Sequence, residues 1–424
     1  MNLARRTQSA LPPVYIVSAQ RTPVGSFQGA LAKASAVQLG VTAVKGALAK
    51  ANIDPQLVEE VYFGNVLQGG VGQSPARQVA LGAGCSNEAE ATTINKVTKQ
   101  RAAACVNNPL LTLNLHSALS SQVCASGMKA TMLAAQTIQT GQRSLMVTGG
   151  MESMSNAPMY YPRTPASFGH ITVIDAITKD GLEDVYSARP MGACTEETAK
   201  EHGQTREQND KYALNSYKKA ADAWAAGKFT EEISPVTLKD ARKGDTVVAE
   251  DEEYKKILPN KVPSLRPVFA KDGVITAANA SNLNDGASAL VLASQEKVQE
   301  LGLKPIARIV SFADAARDPT HFGIAPALAI PLALKRAGLE IDQIAKFEVN
   351  EAFSAVALAN QKILNIPSEK LNVNGGAVAL GHALGSSGSR IIVTLIHLLQ
   401  KGEFGVAGVC NGGGGGSAIV VERL

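Results

Sequence analysis

No apolar run in this chain reaches the roughly 18 residues that a membrane-spanning helix needs, and the most apolar stretches are broken by glycine or by charge. The chain therefore reads as soluble, with no membrane partner. It also lacks any Lys/Arg run interleaved with aromatics, and 41 basic against 37 acidic side chains leave a formal charge of only +4. Nucleic acid is set aside as a partner for that reason. Cysteine is scarce and odd in number. Cys85, Cys105, Cys124, Cys194 and Cys410 are scattered through 424 residues, which does not suit a disulfide framework and points to a reducing compartment. Acids are missing from residues 1–10, where Arg5 and Arg6 stand among Ser and Thr as in a transit peptide, although the segment is short. A mitochondrial signal and a plain tail both fit, so the compartment is left between cytoplasm and mitochondrion.

What is present is an α/β alternation. Segments rich in β-formers alternate with helix-period runs, as in residues 14–18, 36–51 and 61–66, an order that predicts βαβ units and a mostly parallel sheet covered by helices. The length suffices for two or three compact domains. Two blocks of the first half have partners in the second. Residues 43–65 resemble 329–350 with a small gap, and residues 124–150 lie on 385–411 without one, matching Gly141 with Gly402. The chain thus reads as two related α/β halves.

The repeat exposes an anomaly. Asn350 and Gly385 are 35 positions apart, whereas their partners Asn65 and Cys124 are 59 apart. Residues 98–122, without alternation and flanked by Val97 and Val123, account for the excess. Removing one Val with this stretch joins Asn95-Lys96 to Val123-Cys124, so residues 97–122 read as the translation of an unspliced intron, a surface loop being the alternative. Between the halves, residues 151–270 turn to Met, Pro and charge, the texture of an inserted loop domain carrying substrate contacts.

Cys124 stands just before the helical pattern of residues 128–138, where free N–H groups and the helix dipole favour a thiolate. His382 ends a Gly-rich approach at the equivalent helix start of the second half. A thiol and an imidazole on two pseudo-equivalent helix starts can form a nucleophile and base pair. Cys410 precedes Asn411 and five glycines, a backbone able to aim N–H groups at developing negative charge. Asn350 closes a further strand, where it is suited to position a water or an oxyanion.

Together, Cys124-Ala-Ser-Gly-Met-Lys, Gly149-Gly-Met-Glu-Ser-Met, Asn350-Glu-Ala-Phe, Gly381-His382 and Cys410-Asn-Gly-Gly-Gly-Gly resemble the thiolases, and among them the acetyl-CoA acetyltransferases. The resemblance implies a five-layered αβαβα fold: a tail over 1–12, a first half over 13–295 with the loop domain at about 151–270 and the anomalous insertion at about 98–122, and a second half over 303–424. It implies homo-oligomers, dimer or tetramer, that act on acetyl-CoA, acetoacetyl-CoA and CoA, with no tightly bound cofactor. Cys124 would carry the acetyl group, His382 would activate its thiol, Cys410 would move the methyl proton and Asn350 would hold an oxyanion water. CoA contacts carry over to Tyr186, Lys256, Lys261, Ser281, Met191 and Phe353. A potassium site of some members carries over to Tyr186, Ala277, Ala278, Ala280 and Val378, mostly through backbone carbonyls. Two departures stand out, Pro190 where a His usually precedes Met191-Gly192 and Ala383 where a Pro usually follows the catalytic His. Three rival readings remain: a longer-chain 3-ketoacyl-CoA thiolase, an inactive acyl-CoA binder made by mis-splicing, and a nucleotide-binding α/β protein using the glycine run.

Overall fold

The computed structural model describes residues 11–95, 123–161, 163 and 168–424. The anomalous stretch 98–122 and residues 1–10 of the expected tail lie outside the described residues. The first half contributes β1 (Val14–Arg21), α1 (Ala36–Ala51), β2 (Glu60–Gly64), α2 (Pro75–Ala83), β3 (Glu90–Ile94), α3 (Ser126–Gln139) and β4 (Leu145–Ser153). After the segment that leaves the sheet at Ser153, it adds β5 (Asn284–Ser294). That intervening segment is not merely loop. It holds α4 (Met191–Glu201) and the 20-residue α5 (Arg206–Ala225), opened by a reciprocal capping box between Thr205 and Gln208. The second half follows with β6 (Ala307–Ala316), α6 (Pro326–Ala337), β7 (Ile344–Val349), α7 (Ser354–Leu364), α8 (Leu384–Leu398), β8 (Phe404–Asn411) and β9 (Gly415–Arg423).

The strands form one ten-stranded sheet in the order β7-β8-β9-β6-β1-β5-β4-β2-β3, with the short Gly25–Ser26 strand on the end of β5. The two halves are the same pattern twice. Order β1-β5-β4-β2 in one half matches β6-β9-β8-β7 in the other, and antiparallel pairing of β1 with β6 joins them. The expectation of a mostly parallel sheet is corrected here. Only β2·β3, β2·β4 and β7·β8 are parallel, while β1, β5, β6 and β9 pair antiparallel with their neighbours. The error has a physical origin. Strands β1, β5 and most of β9 are buried on both faces and so read like parallel strands, although β6 keeps an alternation of buried and half-buried positions; β9 returns by a hairpin from β8 and β5 arrives from the long intervening segment.

The layers follow from which faces are apolar. Helices α3 and α8 pack on each other and touch strands of both halves, α1 and α2 cover the outer face of the first half, and α6 covers the second. The central core includes Met128, Met132, Leu290, Leu292, Ile391, Ile392, Leu395 and Ile419, and separate outer cores lie under α1 and α6. Such burial stabilises each large aliphatic side chain by about 1.5–3 kcal/mol. The α3–α8 contact is unusually close because it is lined by glycine. A Cβ on Gly127 would come within 2.8 Å of the Gly385 carbonyl, and one on Gly388 within 2.7 Å of the Met128 amide nitrogen. This approach brings the two helix starts together.

Candidate active site

Cys124 lies in the turn entering α3, and His382 lies in the turn entering α8. His382 follows Gly381, whose φ of +103° and crowding against Asn284 and Val24 admit only glycine. The His382 amide donates to Asn284 Oδ1 at 2.7 Å, which fixes the turn. Imidazole Nε2 lies 3.2 Å from Cys124 Sγ, and Nδ1 lies 2.6 Å from Ser387 Oγ. All three side chains are buried. Cys410, at the end of β8, is buried in an apolar group with Met191, Cys194, Phe322, Ala352 and Val356, with Phe353 packed against it.

Burial sets the charge state of this site. It pushes the Cys124 thiol well above its usual range, helped by the neighbouring Cys410 and Glu152. It pushes Cys410 up to about 12. Burial, and then the Arg390 guanidinium, pulls His382 down to about 3. The resting pair is therefore a neutral thiol facing a neutral imidazole. Burial thus opposes the thiolate that a helix start favours.

Asn350 follows β7 and is 1% exposed, and neither its amide nitrogen nor its amide oxygen has a partner among the described residues. Such a group is suited to a water or a substrate oxygen. Its neighbour Glu351 is fully engaged, accepting from Tyr212 Oη and Ser216 Oγ at 2.8 Å, Asn372 Nδ2 at 2.9 Å and the Val378 amide at 3.1 Å. Glu351 thus ties α5 and the approach to His382 to the end of β7. Glu152 does the same for the other half. It accepts from Asn65 Nδ2 at 2.8 Å and from the Val66, Leu67 and Gly385 amides at 3.0, 3.1 and 2.9 Å, joining β4 to the start of α8. Burial raises its carboxyl to about 7 against those hydrogen bonds.

Residues 14–108 and 112–296 match the family profile described as "Thiolase, N-terminal domain", and residues 303–423 match "Thiolase, C-terminal domain". The chain belongs to the thiolase family. It is 51% identical to rat mitochondrial acetyl-CoA acetyltransferase over 99% of this chain and 93% of the relative. It is 53% identical to acetyl-CoA acetyltransferase IA of Candida tropicalis over 98% of each. Among solved structures, the Acat5 thiolase from Ascaris suum in complex with coenzyme A superposes with a TM-score of 0.88 at 46% identity, over 97% of this chain and all of that one.

Around the thiolase pair, the remaining expected positions fall into two groups. Met191, at the start of α4, and Phe353 share one apolar group with Cys410, and Phe269 meets the Phe353 ring edge-on at 6.4 Å. Ser281 donates from Oγ to the Ala352 carbonyl at 2.8 Å. Tyr186, Lys256 and Lys261 are exposed, and among the described residues no hydrogen bond or ion pair links them to Cys124. Lys256 is held instead by Glu252 at 3.0 Å. The carbonyls of Ala277, Ala278 and Ala280 accept no hydrogen bond among the described residues, although the turn is fixed by the Asn279 and Ala280 amides donating to Thr276. Among the described residues no group of three or more His, Cys, Asp or Glu side chains is placed to hold a metal.

Sequence reasoning overlooked Glu152, Glu351, Asn284, Ser387 and Phe269. Glu152 was within reach, since it stands inside the Gly149-Gly-Met-Glu-Ser-Met motif. Glu351 likewise follows Asn350 inside its motif, and Ser387 stands five residues after His382, whereas Asn284 and Phe269 meet partners too far along the chain for any local signal.

Proposed function

We propose that this thiolase catalyses the reversible condensation of two acetyl-CoA molecules to acetoacetyl-CoA and CoA through an acetyl group on Cys124. The Cys124–His382 contact of 3.2 Å carries the reading, because it sets a buried thiol against a buried imidazole. In the first half-reaction the thiol proton passes to His382 Nε2 as the sulfur attacks the thioester carbonyl. The S–C bond to CoA then breaks, and the leaving sulfur takes the Cys410 proton, which leaves a Cys410 thiolate and a protonated His382. In the second, that thiolate accepts a proton from the methyl of another acetyl-CoA, and the enolate carbon attacks the acetyl-Cys124 carbonyl. Collapse of that adduct releases the Cys124 sulfur, which takes its proton back from His382.

Charge on the two oxygens calls for fixed donors, each worth about 3 to 4 kcal/mol in a water-excluded site. The Asn350 amide, without a partner among the described residues, supports a water-mediated hole shared with His382, and the Cys124 amide with the loop after Cys410 supports the second. Met191, Phe322 and Phe353 crowd the space beside Cys410 and favour a two-carbon acyl group over a long chain. CoA would run outward past Ser281 towards Tyr186, Lys256 and Lys261. The unengaged carbonyls at Ala277, Ala278 and Ala280 fit the chemistry of a potassium ion, with Val378 and Tyr186 completing its shell and the ion stiffening the CoA-side turn. Exposed apolar side chains at Met159, Phe168, Ile171 and Val173 support a homo-oligomer in which a second copy covers them.

Intact mass after mixing with acetyl-CoA tests the reading. One acetyl group is expected on the native chain and none on Cys124→Ala, and an unmodified native chain overturns it. The longer-chain alternative is separated by rate, since acetoacetyl-CoA should be cleaved far faster than a 3-ketoacyl-CoA of eight carbons.

A further inference from the structure

We infer that Ser387 is a positioning residue that fixes the tautomer of His382, holding the proton on Nδ1 so that Nε2 faces the Cys124 thiol as a bare acceptor. The inference rests on the functional reading of this same site. Ser387 lies in the first turns of α8, five residues after His382, and is 2% exposed. Its hydroxyl stands 3.0 Å from the carbonyl of Ala383, one helical turn back, where it donates, and 2.6 Å from His382 Nδ1. A serine has one hydroxyl proton. Given to Ala383, it leaves the oxygen only as an acceptor, so Nδ1 must carry the hydrogen of that short contact.

The other side of the ring requires the same answer. Cys124 is a protonated thiol at rest, so a hydrogen on Nε2 would set donor against donor across 3.2 Å. With Nδ1–H directed at Ser387, Nε2 accepts the S–H and becomes the atom that receives the proton during attack. Arg390 is the nearby cation bearing on the ring, and it opposes protonation. The hydroxyl adds no negative charge to offset it. Ser387 therefore orients the base without making it strongly basic, which suits a thiol, a far easier proton donor than a serine hydroxyl. The proton count closes, because the Nδ1 hydrogen stays directed at Ser387 throughout and the Nε2 proton is taken from Cys124 and returned to it when that sulfur is released.

The test is 15N-histidine NMR of the full chain, with the His382 signals assigned by their loss in His382→Gln, together with steady-state kinetics. In the native protein the Nδ1–H tautomer is expected. In Ser387→Ala the ring should shift towards a mixture, and kcat should fall about 10- to 100-fold with KM for acetyl-CoA changed less than twofold. Ser387→Thr, which keeps the hydroxyl, should restore both the tautomer and most of the rate. An Nε2–H tautomer in the native protein overturns the inference, as does Ser387→Ala that keeps the native tautomer or stays within twofold of the native kcat. The tautomer measurement needs no substrate. It therefore decides this point even if Cys124 fails to accept an acetyl group, and should Ser387→Ala not fold, the native tautomer alone decides.

Discussion

The two halves of this molecule are built to one plan and used for different chemistry. Helix α3 and helix α8 occupy equivalent places, each entering from a turn beside the end of a parallel strand, and each carries a glycine that lets the other approach. One turn presents a thiol and the other an imidazole. The lesson is that a duplicated scaffold supplies position cheaply, since the pseudo-symmetry that packs α3 on α8 also sets Cys124 against His382. What differs is support. In the second half, His382 is held by Asn284 and Ser387, whereas Cys124 is backed by Glu152, whose carboxylate reaches across to the start of the opposite helix.

The comparison breaks most completely if one helix start loses its chemistry. His382→Ala should lower kcat by about 10²- to 10⁴-fold while circular dichroism stays native, and combining it with Cys124→Ala should add almost nothing, as expected for groups that act as a unit. The next effect restores symmetry instead of breaking it. Removing residues 97–122 brings the Asn65-to-Cys124 spacing close to the 35 positions between Asn350 and Gly385. The shortened chain should acetylate Cys124 at least about tenfold faster than the full chain in stopped acetyl-CoA assays, because the extra length joins directly onto the Cys124 turn.

A smaller effect comes from the contact itself. Gly388→Ala places a methyl against the Met128 backbone and should cost about 1–3 kcal/mol in denaturant unfolding, with reduced alkylation of Cys124 as the helix starts part. The smallest effect is a gain. Ala383 has φ −70°, the residue before it is extended, and its amide donates no hydrogen bond among the described residues. Ala383→Pro should therefore stabilise by about 0.4–1 kcal/mol, read as a small rise in Tm.

Much of this was legible along the chain, and the failures are instructive. Cys124, His382, Cys410 and Asn350 each sit at an element end marked by glycine or by a change of period, so local signals located them. The repeat was visible because equivalent helices keep equivalent spacing. Strand direction was misread because burial on both faces erases alternation in β1 and β5. The charge state was not legible, because a helix start is seen in sequence whereas the depth at which it is buried is not. Glu152 and Glu351 stand inside quoted motifs, but they collect donors from residues up to 233 and 139 positions away, so the chain displays each carboxylate without what it holds.

By itself, then, the sequence determined which residue types stand at the helix starts, the twofold order of elements and the glycines that permit close approach, since all of these are properties of neighbours along the chain. Only the tertiary structure decided that thiol and imidazole meet at 3.2 Å, that both are neutral at rest, and which ring nitrogen faces the sulfur. Those depend on desolvation and on partners hundreds of residues apart, quantities that exist only once the two halves have closed on each other.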